Sequence, residues 1–141
     1  MDADRELTLA GVADGRRACF DAGAARFDAG AYWDAHEAWE ARWRVERDEA
    51  ARRFFQGMIQ IAAALHKLQA QRAPEAAARL FAKGLAKLDA APPGVELDLA
   101  RVRSGVEACA LGLAEGRFDP GDVPRLGVNG APAASIADPM R

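Results

Sequence analysis

The sequence is poor in the groups from which covalent scaffolds and enzymatic nucleophiles are built. Its two cysteines, Cys19 and Cys109, stand without CxxC or Cys/His spacing. That excludes a disulfide framework and a zinc ribbon, and leaves each thiol as a small apolar filler on a helix face. Ser104 and Ser135 are the two serines, and neither sits in a nucleophile-elbow motif. Gly11, Gly15 and Gly23 follow no strand, so no phosphate-cradling loop is expected. Long apolar runs are missing too. The longest apolar stretch free of charge, Phe54 to Leu65, falls well short of the ~20 residues that span a bilayer, and no membrane partner is expected. Charge of one sign is also absent. A formal net charge of −2 at pH 7 creates no field that recruits a polyanion, so nucleic acid is not an expected partner. The opening residues, Met1-Asp2-Ala3-Asp4-Arg5, carry acids and lead into no apolar core, unlike a secretory signal. Together with the unpaired cysteines, this points to a reduced, cytoplasmic setting.

What is present is alanine, leucine and helical periodicity. The 141 residues suit one domain. Hydrophobic residues make up 50% and β-branched residues are sparse, with no alternating apolar and polar run. The expected class is all-α: a multihelical bundle of about five helices around a buried central helix. Helices are predicted over about 14–29, 31–47, 50–71, 74–90 and 97–115, with residues 1–12 weakly specified. Gly30 is placed to end the first, Pro74 to open the fourth, and Ala91-Pro92-Pro93-Gly94 to separate the last two. The domain is expected over 1–118, with 119–141 a loosely packed or disordered Gly/Pro/Ala-rich tail.

The third helix is nearly apolar all round, which belongs at the centre of a bundle. One broad side holds Phe54, Phe55, Met58, Ile61, Leu65 and Leu68, while Gln56 and Gln60 lie on the other. Buried amides must find hydrogen-bond partners, and a polar group on the second helix could supply them.

The second helix carries that group. At 100° per residue, Trp39, Tyr32, Trp43, His36, Arg47, Glu40 and Trp33 fall within an arc of roughly 120°, and all three tryptophans of the chain are among them. His36 and Glu40 are one turn apart, so their side chains can meet or converge on a third group. An imidazole and a carboxylate desolvated by indoles must be paired or bind something. Three readings stay open. In the first, His36 and Glu40 pair with each other or with Gln56 and Gln60 and fix helix register. In the second, they are two ligands of a divalent metal ion. In the third, they form the polar spot of an aromatic pocket for a small molecule, lined by Trp39, Trp43 and Tyr32, with Glu40 orienting His36 as a proton carrier. Two ligands make half a metal site, with Glu37, His66 or a neighbouring subunit as the remaining candidates. The segment His36-Glu37-Ala38-Trp39-Glu40 lacks the second histidine of a zinc-protease helix, and the Glu-x-x-His order of di-iron bundles is absent.

Two linked stretches carry a resemblance. They are Phe27-Asp-Ala-Gly30-Ala-Tyr32-Trp33-Asp-Ala35-His36-Glu37-Ala-Trp39-Glu40-Ala-Arg-Trp43-Arg44 and Phe54-Phe55-Gln56-Gly57-Met58-Ile59-Gln60-Ile61-Ala62-Ala63-Ala64-Leu65. Over about Phe27 to Leu88 the chain resembles the small prokaryotic domain-of-unknown-function family numbered three hundred and nine. The resemblance implies a multihelical bundle around a buried central helix, and singles out His36, Glu40 and Trp43, with metal binding proposed for the family. The chain departs where relatives often carry an aromatic residue before histidine; here His66-Lys67 stands.

The expected function is a cytoplasmic domain whose His36/Glu40/Trp43 site binds a metal ion or a small polar ligand; whether it is an enzyme stays open. The alternative is a helix-hairpin interaction or homodimerisation module in which the His-Glu pair is structural. Phe27-x-x-Gly30-x-Tyr32-x-x-Ala35 and Pro74-Glu75-Ala76-Ala77 hint at such hairpins, although their spacing is not a 34-residue repeat.

Overall fold

A computed structural model of the chain describes residues 2–127, with side chains from Gly11 onward. Five α-helices follow in order: α1 (Asp2–Asp28), α2 (Tyr32–Val45), α3 (Glu49–His66), α4 (Pro74–Leu85) and α5 (Leu99–Ala114). A π-helical turn, Lys67–Gln71, extends α3, and a 3₁₀ turn covers Pro120–Asp122. Among the described residues there is no strand, and no helix is long and apolar enough to cross a membrane. The fold is an all-α multihelical bundle.

α3 is its centre. Asp48 caps it by accepting a hydrogen bond from Ala51 N at 2.9 Å, which satisfies one of the free donors of the first turn. Phe54, Phe55, Met58, Ile59, Ile61, Ala62 and Leu65 are buried along one broad side, and Gly57 and Ala64 widen that side toward α4. α1 reaches it through Phe20, whose ring lies 5.8 Å from that of Phe54. α4 reaches it through two glycines. A β-carbon on Gly84 would lie 2.8 Å from Ile61 Cγ1 and 2.9 Å from Gly57 O, so only bare backbone permits this approach. The expected central helix is therefore present, but Gln56 and Gln60 are half-buried rather than enclosed.

Several boundaries differ from expectation. α1 begins at Asp2 rather than near Asp14, because Asp2 to Val12 holds good helix formers and no proline to stop it. α2 ends at Val45, leaving Arg47 outside the helix and off its stripe. α4 ends at Leu85 instead of continuing to Ala90. Its freed carbonyls are taken by arginines from neighbouring helices: Arg103 Nη1 donates to Leu85 O and Leu88 O at 2.8 Å each, and Arg53 donates to Ala86 O. Those bonds replace the helical ones that residues 86–90 would have made. Residues 119–127 are the described part of the expected tail. Leu126 is buried, and the Asp28 carboxylate accepts from Leu126 N at 2.7 Å and Gly127 N at 2.9 Å, fastening the chain to the end of α1. The remainder of that expected tail lies outside the described residues.

One polar group is buried at the opposite corner. Arg16 of α1 donates twice to Glu46, Nε to Oε1 and Nη2 to Oε2, both at 2.8 Å. Arg42 Nε and Asp48 N add 3.1 and 3.2 Å bonds to the same carboxylate, and Arg16 Nη1 donates to Pro93 O at 3.2 Å. Arg16 and Glu46 are 8% and 4% exposed, so the pair is desolvated but fully hydrogen-bonded. These donors, Arg16 first, hold the Glu46 carboxyl down at about 2, below its ordinary value of 4.5. A depressed carboxyl contributes stability that is present above its unfolded-state value and lost as pH falls toward the folded one. Acid unfolding should therefore remove about 3 kcal/mol of stability between pH 4.5 and 2 through this one group. In thermal melts across that window, Glu46→Gln should show a flatter dependence on pH, and at neutral pH it should be less stable by about 3 kcal/mol because Arg16 is left charged and unpaired.

Candidate functional site

The arc of α2 that gathers the aromatic and polar side chains in sequence divides into two surfaces in space. The first faces the core. Trp39 is fully buried, stacks on Phe20 at 5.7 Å, packs against Phe27 at 5.9 Å, and donates Nε1–H to Phe20 O at 3.2 Å. Its indole fits because α1 presents Gly23 there; a β-carbon on Gly23 would lie 2.2 Å from Trp39 Nε1. Tyr32 is half-buried edge-on to Phe27 at 5.2 Å, and this burial raises its phenol above the ordinary range. Trp39 and Tyr32 are thus packing residues between α1 and α2.

The second surface flanks α3 and is open to solvent. The His36 ring is stacked on Trp33, with centroids 4.4 Å apart and planes 10° from parallel. Trp33, 47% exposed, also leans on His66 at 5.1 Å. His36 Nδ1 is buried without a hydrogen-bond partner among the described residues and lies 3.6 Å from Glu37 Oε2. Glu40, one turn on, pairs with the exposed Arg44 at 3.2 Å. Ligand atoms of His36, Glu37 and Glu40 all lie within 4.8 Å of one another.

The other expected members sit elsewhere. Trp43 lies under Arg52, whose guanidinium carbon is 4.4 Å from the ring centroid and whose Nη1 donates to Trp43 O at 2.8 Å. Gln56 shares a surface depression with Trp43, Arg52 and Arg53. Gln60 accepts from Lys87 Nζ at 2.9 Å, so its oxygen is taken by α4 and not by the His-Glu pair. Neither glutamine is hydrogen-bonded to His36 or Glu40 among the described residues: Gln56 lies beside Trp43 and Gln60 is bonded to α4.

Glu37 is the member that periodicity undervalued. At 100° from His36 it falls outside the arc, yet a carboxylate on a flexible stem reaches the imidazole of its neighbour. The Arg16–Glu46 pair was also missed. Its one signal in the sequence was Arg16 preceding Phe20, Ala24 and Phe27 on the same inward stripe of α1.

Residues 20–80, from mid-α1 into α4, match the family model described as Domain of unknown function (DUF309). Over this segment, less than half of the chain, the sequence is similar to that family. No curated protein and no solved structure matches the chain. The matched segment contains His36, Glu37, Glu40, Trp43 and the whole of α3, whereas Arg16 and α5 lie outside it.

Chemically, the group is an imidazole nitrogen beside two carboxylate groups with solvent on one side, a donor set suited to borderline divalent ions. Two ligands of one tetrahedral ion with bonds of ~2.1 Å lie roughly 3.4 Å apart. The 3.6 Å between His36 and Glu37 is already close to that, and Glu40 needs a side-chain rotation. That rotation breaks an exposed ion pair with Arg44, which costs about 0–1 kcal/mol.

The division into two surfaces has a measurable consequence. Gly23→Ala should push the Trp39 indole off Phe20 O and destabilise the domain by about 1–3 kcal/mol, as overpacking does. Tryptophan fluorescence should shift to the red with it. Trp33→Ala, on the open surface, should change stability by under about 0.5 kcal/mol.

Proposed function

We propose that the DUF309-like segment of this chain binds a divalent metal ion through His36, Glu37 and Glu40. The observation that supports this best is the buried, unpartnered Nδ1 of His36. A buried polar atom left without a partner costs about 1–3 kcal/mol, and a ligand that accepts its lone pair removes the cost. The adjacent carboxylates supply the compensating negative charge. Stacking on Trp33 restricts rotation of the imidazole, which limits the entropy lost on coordination. Three protein ligands leave coordination positions open, the arrangement of a catalytic or sensing site and not of a closed structural one. When bound, the ion would polarise a water or a ligand oxygen at those positions. Of the residues named in sequence, His36 and Glu40 remain in this reading with Glu37 added, while Trp43, Trp39, Tyr32, Gln56 and Gln60 are left to packing and to other contacts.

The exposed face of Trp33 favours a second reading, in which this surface meets a second copy and His36 is a contact residue.

Elemental analysis of the purified full chain, followed by calorimetric titration of the chelator-treated protein with Zn²⁺ and Mn²⁺, tests the proposal. One equivalent should bind, and His36→Ala or Glu40→Gln should weaken binding by about tenfold or more, since each lost ligand is worth at least 1.4 kcal/mol. Because each ligand binds deprotonated, affinity should fall on acidification. No bound ion, no heat of binding and identical behaviour of wild type and His36→Ala would overturn it. A dimer in sedimentation that Trp33→Ala dissociates, without ion binding, would establish the second reading instead.

A further inference from the structure

A groove of about 610 Å³ opens where the π turn after α3 and the start of α4 face the end of α5. Small-molecule sites typically enclose about 300–1,000 Å³ with apolar walls and a few polar groups. The walls here are Leu68, Ala78, Ala110, Leu113 and Phe118. The rim is charged, by Arg72, Glu75 and Arg117.

The three charges are not equivalent. Glu75 stands in the first turn of α4, where a carboxylate answers the positive end of its own helix. Arg117 is paired with the exposed Glu115. Arg72 has no ion-pair partner among the described residues. Its backbone is left-handed, φ 50°, directly after the π turn. Glycine or asparagine is the ordinary occupant of such a position, because a β-carbon there costs roughly 1 kcal/mol. The chain thus holds a cationic side chain at the mouth of an apolar groove at a backbone position that disfavours it, and π turns recur at binding sites.

We propose that this groove binds a small amphipathic anion, its aliphatic or aryl body lying over Leu68, Leu113 and Phe118 and its carboxylate or sulfonate meeting Arg72. The charge decides the class: an apolar lining alone would accept any oily molecule, while the unpaired Arg72 guanidinium at the rim selects one with an anionic head. The site is separate from the His36 group, and α5, which forms one wall, lies outside the DUF309 match. Neither proposal depends on the other.

Titration of the full chain with 1-anilinonaphthalene-8-sulfonate, then displacement by monomeric laurate or by uncharged dodecanol, tests this. Laurate should displace the dye at least about tenfold more effectively than dodecanol, the value of a charged hydrogen bond. Arg72→Gln should abolish that difference, and Ala78→Phe, which fills the groove, should abolish displacement by both. Arg72→Gly is the control for folding: it removes the charge and relieves the left-handed backbone, so lost laurate selectivity with an unchanged or raised melting temperature supports the proposal. Equal affinity for laurate and dodecanol in the wild type, laurate affinity unaffected by Arg72 variants, or dye excluded because a second copy covers the groove in sedimentation would each overturn it.

Discussion

Everything in this bundle is arranged around a helix that gives water only one narrow polar face, that of Arg53, Gln56 and Gln60. α3 buries Phe54, Phe55, Met58, Ile59, Ile61 and Leu65 around its axis, and at ~25 cal/mol per Å² of apolar area this burial is the main favourable contribution to the fold. One neighbour cannot cover such a helix. α1, α2 and α4 must each approach it, and the approaches demand small residues: Gly57 and Gly84 at the α3–α4 crossing, and Gly23 where α1 admits the Trp39 indole beside the core. The glycines carry no catalytic meaning here. They set how close backbones come.

The polar groups then divide by what that packing leaves accessible. Glu46 is enclosed with four donors from Arg16, Arg42 and Asp48, and serves as a latch between α1 and the turn into α3. Its full satisfaction is what makes burial of the charge tolerable. His36 is the contrary case, because its Nδ1 is covered and unpartnered while its carboxylate neighbours face solvent. A satisfied pair stabilises and does nothing further; an unsatisfied one at the surface keeps its bonding capacity for something that arrives.

The two candidate sites lie on different helices and use different chemistry. The His36 group is built from a single helix, so its ligand set depends on local geometry that the surrounding bundle merely holds in place. The groove between the π turn and α5 is assembled from segments far apart in sequence, Leu68 to Ala78 and Ala110 to Phe118. It exists only because α5 packs back across α4, an arrangement reinforced by Arg103 gripping the carbonyls at the end of α4.

The amino-acid sequence by itself determined the helical class, the central position of α3 and the helix on which the His-Glu group sits. These follow from periodicity and composition, and both are local properties: the charge-free run 54–65 has only Gln56 and Gln60 as polar side chains to offer to solvent, and His36 and Glu40 are one turn apart in any helix. It did not determine which side of the aromatic arc would face the core. The 120° arc is wider than one contact, and only the crossing of α1 over α2, permitted at Gly23, turned Trp39 inward and left Trp33 and His36 outward. Nor could it pair Arg16 with Glu46, end α4 at Leu85, or take Gln60 to Lys87, since each of those contacts joins residues well separated along the chain. Such contacts are set by where helices cross, and a crossing depends on the joint shape of two surfaces, which neither helix encodes alone.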